Sequence, residues 1–358
     1  VVGCERAAQR WQALPLLAAM CTKSCQEAVA ACVEGKALPM HESPPWWPAA
    51  PDLRRDEVRI SFGGKEYVGY LVAPPASCGK RPLVMVVHNF QGLKYFDVHE
   101  AEYLARVGYV GLAVDLYDRE VTGGEVGKVH PPDARVQPDV QGMDDGQKMM
   151  ATLSWIKACF EQMVAVDHDF PKVRGLMQAW LDAGLAHETV ESSVAPAAVG
   201  YCFGGSVVLE CVRGGLDLSG VVSFHGLLQG GEDPNPLKYC QIQRPPLVAC
   251  ENKYNTKTVM LVENGSNDEL VGPENIRRFI EEFDAAGVDW TFNNHGKGCG
   301  HGFGLPKTLG VPGQLHEQGD RRATLNMLTL FREIFPGVPQ NPVERNAAGN
   351  PIPQLPNP

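Results

Sequence analysis

An α/β fold with a mostly parallel central sheet flanked by helices is predicted for this 358-residue chain by three observations. Short, mainly apolar runs of strand length recur: the continuous Pro82 to Val87 (PLVMVV), then Gly220 to Phe224 (GVVSF) and Thr258 to Glu263 (TVMLVE). Such runs mark strands buried on both faces of a parallel sheet. Stretches with helical periodicity alternate with them. A strand passes into a helix through the Gly-x-Cys-x-Gly turn at Gly200 to Gly204.

Taken in order, residues 1–37 read as an N-terminal helical extension. Its Leu14 to Cys21 segment matches either an ordinary helix or the remains of a leader. Residues 38–56 are a Pro- and Trp-rich linker. The main domain spans 57–337 and opens with a hairpin, Glu57 to Phe62 and Glu66 to Val72, around Gly63-Gly64. After the strand Pro82 to Val87 comes a helix with Val98, Ala101, Leu104 and Ala105 on one face, closed by Gly108. Tyr109 to Leu116 is the next strand, so the pair forms a right-handed parallel crossover. Residues 120–166 are an insertion, polar at first and then helical in period, with a lid and a plain surface excursion as the two readings. A helix over Phe170 to Leu185 leads to the strand Ala195 to Tyr201. Later elements are helix Pro273 to Ala286, strand Trp290 to Asn293 and helix Gly319 to Phe335. Residues 338–358, with six prolines and four asparagines, read as an irregular tail.

The net charge of −10 and the absence of a basic stripe exclude nucleic acid as the main partner. No apolar run is long enough to span a membrane. The eleven cysteines lack the paired spacing of a zinc site or a disulfide scaffold and read as mostly reduced. Neither a metal nor a cofactor is expected; a small molecule is the expected partner and the cytoplasm the expected compartment. Oligomeric state is not legible.

The Gly200 to Gly204 turn presents Cys202 as a nucleophile. A side chain that attacks a carbonyl must stand clear of the backbone, and a strained strand-to-helix turn provides that. The following helix points its free N–H groups and positive dipole end toward the thiol. A thiol needs a base, and the base needs a carboxylate to fix its tautomer. The order nucleophile, acid, histidine, each after a strand, is met by Cys202, Asp268 and His301. Glu263 and Glu269 rival Asp268, but Glu263 falls within its strand and Glu269 begins the next segment. His295 and His225 rival His301, which Gly300 and Gly302 free to turn toward the site. Topology puts the ends of strands at the ligand, so Asn89, Tyr117, Arg119 and His225 are read as substrate contacts.

Gly200-Tyr201-Cys202-Phe203-Gly204-Gly205, Asp115-Leu116-Tyr117, Asn267-Asp268 and Gly300-His301-Gly302-Phe303 together resemble the dienelactone hydrolase family of α/β-hydrolases, over roughly residues 57 to 335. The resemblance implies a Cys-His-Asp triad that cleaves an ester or lactone through a thioester, with the backbone N–H groups of Phe203 and Phe90 as oxyanion donors. Two departures stand out. Asn89 occupies the place of a glutamate that assists the family's thiol. Of two arginines that bind a substrate carboxylate, Arg119 matches one while Leu305 falls at the other. A less charged or larger ester is therefore the expected substrate, and a non-catalytic hydrolase-fold binding protein is the alternative.

Overall fold

The computed structural model describes residues 52–117, 141–231, 242, 244–305, 315–340, 343–345 and 351–353. The expected N-terminal extension, residues 38–51 of the linker, the first part of the insertion and Arg119 lie outside these residues, and the linker's last three residues belong to the first strand.

Eight strands form one sheet: β1 (Arg54–Phe62), β2 (Lys65–Ala73), β3 (Leu83–Val87), β4 (Val110–Val114), β5 (Ala197–Tyr201), β6 (Gly220–Phe224), β7 (Val259–Gly265) and β8 (Asp289–His295). Their order is β1-β2-β4-β3-β5-β6-β7-β8. The pairs β1·β2 and β2·β4 are antiparallel, and every later pair is parallel. Strands β3, β4, β5 and β6 are buried at every residue, as expected of strands covered on both faces.

The helices are α1 (Tyr95–Val107), α2 (Asp145–Asp167), α3 (Phe170–Leu185), α4 (Phe203–Arg213), α5 (Pro273–Ala286) and α6 (Glu317–Ile334). Local chemistry sets their ends. Asp144 caps α2 by accepting from Gln147 N–H at 2.9 Å, while its own N–H donates to the Gln147 side chain. Asp169 caps α3 by accepting from Lys172 N–H at 3.0 Å. None of the helices is long and apolar enough to cross a membrane among the described residues.

Two expectations change. Strands β7 and β8 run two residues further than their apolar runs, through Asn264 paired with Asn294 and Gly265 paired with His295. The Asn264 side-chain amide donates to Asn294 Oδ1 at 3.0 Å, so a polar rung continues the ladder past the apolar segment. The tail is not wholly irregular: β9 (Val343–Arg345) pairs antiparallel with β10 (Pro351–Pro353). A two-stranded ribbon is all edge, where proline is tolerated.

Candidate active site

The turn between β5 and α4 is built by close approach. A Cβ on Gly200 would lie 2.0 Å from the Gly204 carbonyl oxygen, and one on Gly204 would lie 2.1 Å from that of Val87. Only glycine fits at either place. The chain between them passes through Cys202 at φ 56° and ψ −115°, a left-handed conformation that costs about 1–3 kcal/mol for a residue with a side chain. Cys202 is held there from both sides, its N–H donating to Phe224 O at 3.0 Å and its carbonyl accepting from Ser206 N–H. Cys202 is partly exposed at the start of α4.

Two loops at the carboxyl ends of neighbouring strands meet it. His301 Nε2 lies 3.0 Å from Cys202 Sγ, and His301 Nδ1 lies 3.0 Å from Asp268 Oδ2. The Asp268 side chain is buried, and its other oxygen accepts from Leu270 N–H at 2.9 Å. Burial disfavours charge on His301. The Asp268 carboxylate and the Cys202 sulfur outweigh it and raise the imidazole well above its ordinary value. Burial likewise opposes charge on Asp268, yet the His301 imidazole and the Leu270 N–H hold its carboxyl below the usual range. The arrangement is a chain of contacts from carboxylate to imidazole to sulfur.

Strand β3 ends beside the turn. There His88 is completely buried; Leu116 N–H donates to its Nε2 at 3.0 Å, so its Nδ1 carries the proton and donates to Asn89 O at 2.7 Å. Asn89 is also buried, with Oδ1 accepting from Gln91 N–H at 2.9 Å. Its Nδ2 meets no partner among the described residues. Tyr117 is buried and donates its hydroxyl to Phe90 O at 2.8 Å, so it touches the site through Phe90. Among the described residues neither the Phe90 nor the Phe203 backbone N–H is taken by a partner. His225, at φ 40°, packs edge to face on His301 with ring centroids 5.3 Å apart. It is completely buried, and burial lowers its imidazole to about 3, so it stays neutral.

The family model for the dienelactone hydrolase family matches residues 68–335. The chain belongs to that family. Membership makes it a hydrolase of carboxylic esters or lactones. A carboxymethylenebutenolidase of Pseudomonas sp. is 24% identical over 272 residues, 76% of this chain and 93% of that protein. A relative in Synechocystis sp. is 26% identical over 159 residues, and the match spans only 53% of its length. A crystal structure of a dienelactone hydrolase-like promiscuous phosphotriesterase from metagenomic libraries superposes with a TM-score of 0.57 at 26% identity, covering 79% of this chain and 99% of that one.

Within this family member the departing positions are buried: Asn89 sits against the turn's neighbouring strand end, and Leu305 is 3% exposed. The rival acid and the rival histidine turn out to be partners. Glu263, with its side chain fully buried, makes a very short contact with His295 Nε2 and accepts from the side-chain amides of Asn293 and Asn326, each at 2.9 Å. This second couple lies behind Phe303, whose ring centroid is 5.4 Å from His295 and 5.5 Å from His225. The sequence reading did not pair them. The signal was their positions on neighbouring strands: Glu263 lies opposite Asn293, two residues before the end of β7, and His295 ends β8 one same-face step further on. Among the described residues no cluster of three or more His, Cys, Asp and Glu side chains is arranged to hold a metal.

Proposed function

We propose that the chain hydrolyses a carboxylic ester or lactone by covalent catalysis at Cys202, with His301 as base and acid and Asp268 as its orienting carboxylate. The observation that carries this reading is the relay of two 3.0 Å contacts through His301. With its proton moved to His301 Nε2, the Cys202 sulfur attacks the carbonyl carbon as the thiolate. The electron pair displaced onto the carbonyl oxygen is received by the N–H groups of Phe203 and Phe90. Collapse breaks the bond to the alkoxide, which takes the proton from His301 Nε2 and leaves as the alcohol. A lactone gives the same step with the alcohol still tethered. Water then attacks the thioester, giving its proton to His301, and the second collapse returns the thiolate and a carboxylic acid. Asp268 supports the imidazolium formed between proton transfers. The positive φ and the start of α4 keep the sulfur clear of the backbone throughout.

With Leu305 buried where the family resemblance places an arginine, an uncharged or bulky acyl group suits the site better than a carboxylate. The relative described as a promiscuous phosphotriesterase makes a nitrophenyl phosphotriester the second substrate to offer. The deciding experiment follows p-nitrophenyl acetate hydrolysis and the intact mass of the stopped enzyme. Turnover with an acyl adduct on Cys202, both lost in Cys202→Ala, is the expected result. Absent hydrolysis overturns the reading and leaves a hydrolase-fold binding protein, and hydrolysis unchanged in Cys202→Ala overturns Cys202 as the nucleophile.

A further inference from the structure

The loop after β3 carries one of the two N–H groups assigned above to the oxyanion, and its peptides are held unusually firmly. The carbonyl of Asn89 accepts from His88 Nδ1 at 2.7 Å and from Gly92 N–H at 3.2 Å. That carbonyl belongs to the same peptide unit as the Phe90 N–H. Because a trans peptide points its N–H and C=O in opposite directions, fixing the carbonyl aims the N–H. The next carbonyl, Phe90 O, is fixed by the Tyr117 hydroxyl at 2.8 Å. The Tyr117 ring lies nearly parallel to that of Phe203, the other donor residue, with centroids 6.4 Å apart.

A third hold comes from far along the chain. The ring of Phe160, on α2, stacks on that of Phe90 with centroids 4.7 Å apart and planes 14° from parallel. The same helix is pinned beside this loop a second time, where the Lys94 ammonium sits 5.2 Å from the buried Trp155 ring. Helix α2 is therefore docked on the loop by two aromatic contacts.

Building on the hydrolase reading, we propose that Tyr117 and Phe160 are positioning residues for the oxyanion, and that α2 is a working part of the site. Each leaves the thiol and its relay alone and fixes residue Phe90 from a different side, Tyr117 at its carbonyl and Phe160 at its ring. The role follows from chemistry that only one of two reactions needs. Ester attack builds charge on an oxygen that the Phe90 N–H must meet, whereas iodoacetamide loses iodide from a saturated carbon and builds no oxyanion.

Tyr117→Phe removes one hydroxyl, and Phe160→Leu removes the stacked ring from a half-buried position. For each, the kcat for p-nitrophenyl acetate is expected to fall roughly 10- to 100-fold, short of or equal to the loss of a whole oxyanion donor. KM and the iodoacetamide alkylation rate of Cys202 should stay within about twofold, since neither depends on that donor. Phe160→Tyr, which keeps the stacked ring, should restore turnover. Unchanged kcat in both variants overturns the proposal, and so does alkylation that falls in step with hydrolysis, which would mean a disturbed thiol. If Tyr117→Phe fails to fold, the Phe160 pair decides alone. Failure of the hydrolase reading is distinct, because the wild-type chain would then show no Cys202-dependent turnover.

Discussion

Two carboxylate–histidine couples stand at the carboxyl ends of neighbouring strands, and they differ in what surrounds them. In Asp268–His301 the imidazole keeps its second nitrogen for a sulfur, in a partly open position. In Glu263–His295 the carboxylate is closed in by two asparagine amides as well as the histidine, in a position that joins β7, β8 and α6. The chemical groups are nearly the same. A couple becomes a proton relay when one nitrogen is left over for a third group, and a structural clasp when the carboxylate's remaining capacity is spent on amides.

The sharpest break in this contrast is Asp268→Asn. It should cost about 10³- to 10⁴-fold in turnover, as loss of the orienting carboxylate does in comparable triads, far more than its effect on stability accounts for. Steady-state kinetics beside calorimetry checks it, and a loss of less than tenfold would mean that Asp268 does not serve His301.

The next effect is on pH. Asp268 raises His301, so Asp268→Asn should bring the His301 titration, followed by imidazole NMR, down toward the ordinary 6.5. Stability follows with opposite signs for the two partners. The raised His301 contributes fully below 6.5, and that contribution fades as pH climbs through its folded value. The lowered Asp268 contributes fully above 3.8, and that contribution fades as pH falls through its folded value. The stability difference between wild type and Asp268→Asn should therefore be greatest between those limits, as read by urea midpoints across pH. A difference that is flat with pH would count against a charged couple.

The smallest effect on turnover belongs to Glu263→Gln. Its activity should remain within about threefold, while unfolding stability drops by about 1–3 kcal/mol, because glutamine keeps one acceptor oxygen for the two asparagine amides and turns an NH2 donor toward His295 Nε2. The reverse outcome, catalysis lost and stability kept, would exchange the roles of the two couples.

Local rules carried most of the fold. The helices Phe170–Leu185 and Pro273–Ala286 and the strand Gly220–Phe224 lie at the residues their patterns indicate, because a capping aspartate, an N-terminal proline and fully buried apolar runs are signals contained within each segment. The Cys202, Asp268 and His301 trio was legible because each member sits at a strand end and chain order restricts the choice. The Phe160–Phe90 stack was not, since nothing in sequence links residues 70 positions apart on a helix and a loop. The Glu263–His295 pairing escaped for a different reason: it depends on strand register, and the polar extension of β7 and β8 carries no apolar alternation. The short β9·β10 ribbon, three residues a side, falls below the length at which a pattern exists.

Strand order has a consequence for the life history of the enzyme. Cys202, the proposed nucleophile, follows the central strand β5, but His301 follows β8, an edge strand of the sheet and the last of the eight to leave the ribosome. A nascent or partly folded chain can display Cys202 on a formed β5–α4 turn well before anything is able to take its proton. On the proposed triad, hydrolysis switches on only when that final edge has closed, and turnover becomes a report that the whole sheet has been assembled.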